Sequence, residues 1–379
     1  ELFDENVYYN SKGKKKTQSA LCDFHNKVVK KILINSVSNR GNTLVDIAVG
    51  KGGDFPKWTS SKLSFVYGID IMKDNIENKL DGASARFLNN KRDFSNIPNC
   101  IFVHGNSSLN IKSGEGIIGS KYKEVNKAIF GMGPKDETKL GKGVYRQYGV
   151  GESGFNVCSC QFAMHYFFED RKILQQFMQN ISELTRVGGY YIGTCYDGKS
   201  VFNLLQSKKK GESVTYYKNN QKLAEIIKQY DNDTFEDEIT STGYAIDVYL
   251  ESTSKVFREY LVNFDYLIRL MEIYGFVLPD KEELENIPSN IGSFKDLYNY
   301  MENDVELNKL KKHNLGNTLK MTTEEKKLSF LNKYFIFKKV RNVDPKMIVL
   351  SNPYLEEEPE KEEDASIVIT KKKKKITLK

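Results

Sequence analysis

The stretch Thr43-Leu44-Val45-Asp46-Ile47-Ala48-Val49-Gly50-Lys51-Gly52-Gly53-Asp54 decides the fold. A short apolar run carries an acid and passes into a glycine-rich turn, which reads as a buried strand (43–49) with a ligand turn at its carboxyl end. A helix is expected from about Phe55. SFVYGID (64–70) repeats the strand pattern and again closes on an acid, Asp70. Further out, Lys73–Asn89 reads as helix, NCIFVHG (99–105) and FNVCSCQ (155–161) as strands, and Glu169–Thr185 as helix. GGYYIGTCYD (188–197) follows, with Gly188-Gly189 ending that helix. Strand and helix alternating at this spacing predict βαβ units and a mostly parallel sheet covered on both faces.

Three ligands compete for a glycine turn after a first strand. A phosphate-binding Walker loop needs Gly-Lys-Ser/Thr, and Lys51 is followed by Gly52. A dinucleotide fingerprint needs a third glycine, and Gly50-x-Gly52 is followed at that position by Phe55. The third arrangement has Asp46 at one strand end, Gly50 in the turn, and Asp70 at the tip of the next strand. A glycine backbone lets a ligand approach without a Cβ in the way. A carboxylate on the neighbouring strand tip accepts hydrogen bonds from two ribose hydroxyls. With nothing arranged for a pyrophosphate, S-adenosylmethionine is the expected nucleoside; a tight turn with no ligand is the alternative.

Composition narrows the rest. The 379 residues are 39% hydrophobic, enough for a sizeable core, and no apolar run approaches the ~18 residues of a membrane helix. No signal peptide is apparent. Five cysteines form no CxxC pair and four histidines give no zinc-ligand spacing, so neither a disulfide framework nor a metal site is expected. Cys158 and Cys160 alternate in an apolar run as buried thiols would, consistent with a reducing compartment. Against 57 basic residues stand 50 acidic ones, so the net +7 favours a polyanionic partner only through local clusters such as Lys12–Lys16, Lys208–Lys210 and Lys371–Lys375.

Three regions are expected: a basic, aromatic arm over 1–22, one domain over 23–345, and a charged tail over 346–379 that cannot bury a core. The domain opens with the amphipathic helix FHNKVVKKILI (24–34). It is interrupted at 106–154 by an insertion, read as a lid or loop with a helix at Tyr122–Phe130. Residues 206–240 read as hairpins or loops, YAIDVYLES (244–252) as an edge strand, 260–276 as a helix, and NKYFIFKKV (332–340) as a closing strand.

Four blocks in order carry a resemblance. DIAVGKGGDFPKW (46–58) resembles the signature of the mRNA cap guanine-N7 methyltransferases, and FNVCSCQFAMHYFFED (155–170) is similar to that family's SCQFxxHYxFE motif. FHNKVVKKILI resembles its Asn-bearing helix ending in Lys-x-x-Leu-Ile, with one residue inserted here, and Glu259-Tyr260-Leu261-Val262 is the fourth block. The matches span roughly residues 20–340. The insertion GPKDETKLGKGVYRQYG (133–149) looks most like the capping enzymes of large DNA viruses. There the methyltransferase is the C-terminal part of a multifunctional chain, in keeping with a start at Glu1.

The resemblance implies a Rossmann-like class I S-adenosylmethionine-dependent methyltransferase with a seven-stranded-type α/β sheet, acting on N7 of the guanine cap. It places the cofactor against Lys30, Asp46, Ala48, Gly50, Asp54, Asp70, Asn106, Gln161 and Tyr166. Ala48 stands where relatives have Gly, and Asn106 where many have Asp. For the cap it implies Asn26, Lys51, Phe162, His165, Glu259 and an aromatic at Tyr334. No residue is expected to act as an acid or base, because guanine N7 has a lone pair and no proton; His165, Tyr166 and Glu259 would position. Partners implied are capped RNA and upstream triphosphatase and guanylyltransferase domains, with no membrane, a monomeric isolated domain, and a cytoplasmic site (viral factory or virion if viral). A methyltransferase of another substrate and a non-catalytic cap- or RNA-binding module are the rival readings.

Overall fold

The computed structural model describes residues 19–348 apart from 285 and 346. The expected arm, with Lys12–Lys16, and the expected tail, with Lys371–Lys375, lie almost wholly outside the described residues; Ala20–Cys22, assigned to the arm, already begin the first helix.

Twelve strands are present among the described residues: β1 Thr43–Asp46, β2 Phe65–Asp70, β3 Asn99–His104, β4 Phe155–Gln161, β5 Thr185–Tyr196, β6 Ser213–Lys218, β7 Gln221–Lys228, β8 Ala245–Leu250, β9 Lys255–Tyr260, β10 Phe276–Val277, β11 Ile291–Ser293 and β12 Asn332–Lys339. The main sheet runs β10-β12-β5-β4-β1-β2-β3. β1 pairs in parallel with β2 and β4, and β2 with β3, while β12 is antiparallel to both neighbours, β5 and β10. The centre is apolar on both faces: all six residues of β2 are buried, as a sheet covered by helices on each side requires.

One face packs Val45, Tyr67 and Phe155 under the helices Ser120–Ile129, Arg171–Leu184 and Phe264–Ile273. The other packs Leu44, Val66 and Ile336 under the first helical run and the helix Phe294–Glu306. Cys158 and Cys160 are fully buried in β4, as their alternation indicates.

The first helical run holds a π turn at Phe24–Val29 between α-helical Ala20–Asp23 and Lys30–Val37; the Lys30 amide reaches back to His25 O. A π turn takes one more residue than an α turn.

Two expectations are corrected. Gly188 and Gly189 do not stop a helix: Arg171–Leu184 ends on Thr185 and both glycines lie inside β5, where the β4–β5 register slips. The strand at 244–252 is β8, interior to a second, antiparallel sheet ordered β6-β7-β8-β9; residues 206–240 supply its β6–β7 hairpin. Residues 106–154 form an ordered crossover, with Asn110 and Ile111 buried. Their later part returns to the amino end of β4, where Gly151 packs against Phe155 and its amide bonds Ile129 O, at the far edge of the sheet from Gln161.

Candidate active site

At the carboxyl edge, Asp46, Asp70 and Gln161 end adjacent strands, all nearly buried. The glycine turn is held from both sides. Gly50 adopts φ +54°, which a glycine accepts without a Cβ clash, and its amide donates to Asp70 Oδ2 at 2.7 Å. Asp70 Oδ1 accepts from Met72 N and from Asn75 Nδ2, each at 2.9 Å. Burial nonetheless pushes the Asp70 carboxyl above its ordinary range.

Asp54 closes the turn between two ammoniums, Lys57 at 2.8 Å and Lys30 at 3.4 Å. Burial pushes its carboxyl up, but the two lysines outweigh that and hold it below the usual carboxylate range. Asp46 differs. Its hydrogen bond comes from the Ala48 amide at 3.2 Å, and no ammonium lies at ion-pair distance among the described residues. Burial, with Asp54 nearby, pushes its carboxyl up to about 7. Asn106 follows β3, its Oδ1 accepting from Ser108 N at 2.9 Å with a second lone pair remaining.

Beyond Gln161 the chain turns sharply. Phe162 sits at φ +54°, a strained conformation for a bulky residue, with its amide donating to Thr194 O and Oγ1. Thr194 Oγ1 also donates to Gln161 Oε1 at 3.1 Å. The Phe162 ring stacks on His25 (5.1 Å, 23°), meets Phe294 edge-on, and lies 5.7 Å from the Lys30 ammonium. The turn Met164–Phe168 then presents His165, its ring edge-on to Tyr166.

Glu259, on β9, faces His165 from the second sheet. His165 Nε2 is 3.6 Å from Glu259 Oε1, beyond hydrogen-bond reach, and both residues are more than nine-tenths buried. His165 Nδ1 and Nε2 and Glu259 Oε2 have no hydrogen-bond partner among the described residues. Burial pulls the imidazole down to about 3 and pushes the carboxyl up to about 8, so the free site favours the uncharged form of each.

The remaining expected residues fall differently. Asn26 donates its amide to Cys22 O in its own helix at 3.0 Å. Lys51 is buried between Asp81 at 2.8 Å and Asp74 at 3.4 Å, so a phosphate would compete with two carboxylates for it. Tyr334 offers no face to a ligand: it is fully buried in β12 beneath β11, with its hydroxyl on Ser289 Oγ at 2.8 Å. Lys57, Asn75, Thr194 and His25 belong to the constellation and were not singled out from the sequence. Thr194 and His25 act through fold contacts, such as the Gln161–Thr194 strand pairing, that leave no local pattern, whereas Lys57 lies three residues from Asp54 and Asn75 five from Asp70.

The strand order, with its antiparallel penultimate strand, and the acid-flanked glycine turn at the carboxyl edge define a class I S-adenosylmethionine-dependent methyltransferase. Residues 6–340 match the family described as mRNA (guanine-N(7))-methyltransferase domain, and the chain belongs to that family. It is similar to a probable mRNA-capping enzyme of Acanthamoeba polyphaga mimivirus, 28% identical over 340 residues, covering 84% of this chain and 27% of that protein. Similarity extends to mRNA cap guanine-N(7) methyltransferase 1 of Oryza sativa subsp. japonica, 26% identical over 181 residues, covering 48% and 40%. A third relative is mRNA cap guanine-N(7) methyltransferase of Eremothecium gossypii, 25% identical over 275 residues, covering 71% and 55%. The chain thus spans between about a quarter and about half of the length of these relatives.

Proposed function

We propose that the chain transfers the methyl group of S-adenosylmethionine to N7 of the guanine that caps messenger RNA. The observation that carries this reading is the pair of buried, hydrogen-bond-unsatisfied side chains His165 and Glu259, in the same crevice as the glycine turn. Guanine presents N1–H and an exocyclic amine as donors and O6 as acceptor. A carboxylate at Glu259 accepts from both donors, and an imidazole N–H at His165 donates to O6. Adenine reverses the N1 position, leaving a buried acceptor without a donor, and a site built this way rejects it strongly.

The residues present also fit the cofactor. Asp46 is a buried carboxylate with no ammonium at ion-pair distance among the described residues, suited to the amino group of the methionine moiety. Lys30 stands at the same end as a partner for its carboxylate, while Asp54 keeps Lys30 and the turn in place. Asp70 Oδ2 retains a lone pair for a ribose hydroxyl, Asn106 Oδ1 one for the adenine amine, and Ala48 and Gly50 contribute backbone. Gln161, Phe162 and Tyr166 stand where cofactor and base meet.

When bound, S-adenosylmethionine supplies a methyl already activated on a sulfonium. The protein's part is alignment of N7 with that methyl, worth on the order of 7–11 kcal/mol at most. An ionised Glu259 and the Phe162 and Tyr166 rings favour the positive charge that develops on the base. As partners we propose capped RNA and, since 27% of the mimivirus capping enzyme is matched, other capping domains of a longer polypeptide. A cytoplasmic site and a monomeric domain complete the proposal. No helix among the described residues is long and apolar enough to cross a membrane.

The test is transfer of labelled methyl to the dinucleotide GpppA, followed by digestion to the nucleoside. Label in 7-methylguanosine supports the assignment; label accepted only by some other substrate, or by adenine, ends it.

A further inference from the structure

From Leu307 to Met321 the chain carries Lys309, Lys311, Lys312, His313 and Lys320 and no acidic residue, although the whole chain is nearly balanced. All five are exposed, and none of the four lysines meets a carboxylate among the described residues. The loop is nonetheless fixed in place. Leu315 and Thr318 are buried, and Gly316 turns at φ +58°. The Asn317 amide donates to Asp23 Oδ2 at 2.7 Å, and Asp23 also holds Lys27 at 2.9 Å. The segment Lys312–Leu315 packs against the π turn Phe24–Val29, which carries His25, the ring stacked on Phe162, so the loop borders the candidate site through that turn.

We propose that this loop is the track for the RNA chain immediately downstream of the cap, its lysines meeting consecutive phosphates. The proposal rests on the cap reading given above. A guanine seated between His165 and Glu259 leaves its triphosphate bridge and the following nucleotides to exit across the rim. There, four lysines without counter-charges repel one another until a polyanion arrives, which is the electrostatic condition for binding a phosphate chain. In the described cluster Lys208–Lys210, by contrast, Lys210 is already paired with Asp231 at 2.9 Å.

The test compares GpppA with a capped 20-nucleotide RNA as methyl acceptors for the 379-residue chain, over a range of salt concentrations. In the wild type the RNA should have the lower KM and a steep salt dependence. The triple variant Lys309→Gln, Lys311→Gln, Lys312→Gln should raise the RNA KM about tenfold and flatten its log–log salt slope by about 2, at about 0.7 per lost single-strand contact. Its kcat and its KM for GpppA should not move. If the RNA KM and slope stay at wild-type values, or if both acceptors lose alike, the loop is not an RNA track. If the wild type methylates neither acceptor, the failure lies with the cap reading instead.

Discussion

Asp70 Oδ2 accepts the Gly50 amide at 2.7 Å, so the carboxylate expected to receive a ribose also braces the turn that receives the rest of the nucleoside. Three donors depend on it: Gly50 N, Met72 N and Asn75 Nδ2. Asp70→Ala should therefore abolish binding of S-adenosylhomocysteine and also lower stability by roughly 2–4 kcal/mol, because buried donors lose an acceptor. Calorimetry and a urea melt read the two effects separately. Lost binding at unchanged stability would mean that the carboxylate serves the ligand alone.

Glu259 gives a pH signature as well as a specificity. Its carboxyl is raised to about 8 by burial, and it must ionise to accept from N1–H and the exocyclic amine. The KM for GpppA should therefore rise as pH falls below about 8, while the KM for the cofactor stays level. Glu259→Gln should cost about 10–100-fold in kcat/KM, the range for hydrogen bonds to a charged group, and should remove that slope. A retained slope in the Gln variant would assign the titration elsewhere.

The same two blocks show why parts of the site were legible and parts were not. The β1 turn, Asp70 and the β4 motif are contiguous, so strand periodicity and glycine spacing expose them directly. Glu259 entered only through family resemblance, because its strand β9 has mixed exposure and pairs with β8 at the end of a second sheet, which nothing in its own sequence marks. Tyr334 also entered through resemblance, and strand alternation alone does not show that β11 pairs with β12 opposite it. The glycine pair at 188–189 misled: a helix-stop signal was overridden by a strand bulge fixed through pairing with β4.

Asp46 should couple cofactor affinity to pH in a defined direction. Its carboxyl is raised from 3.8 to about 7, so its contribution to the stability of the free protein is fully present below about pH 4 and is lost as pH rises through about 7. A ligand ammonium reverses the preference, since it pairs with the ionised form. S-adenosylhomocysteine should bind more tightly as pH rises toward about 7, by up to about tenfold per unit, and Asp46→Asn should flatten the dependence. Calorimetric titrations at several pH values check this; a steeper slope in the Asn variant would contradict the role.

Phe162 allows ring and backbone to be tested apart. At φ +54° a non-glycine residue carries on the order of 1–3 kcal/mol of strain, held by the Thr194 contacts to its amide. Phe162→Ala removes the ring and keeps the strain, whereas Phe162→Gly removes both. The Gly variant should therefore be more stable than the Ala variant by about 1 kcal/mol, even though glycine usually weakens an ordered segment. Both should lose GpppA methylation to a similar degree, because both lack the ring that stacks on His25 and lies 5.7 Å from the Lys30 ammonium. Equal stabilities would show that position 162 stores no strain. Activity surviving in the Gly variant alone would show that backbone geometry, and not the aromatic face, is what the site requires there.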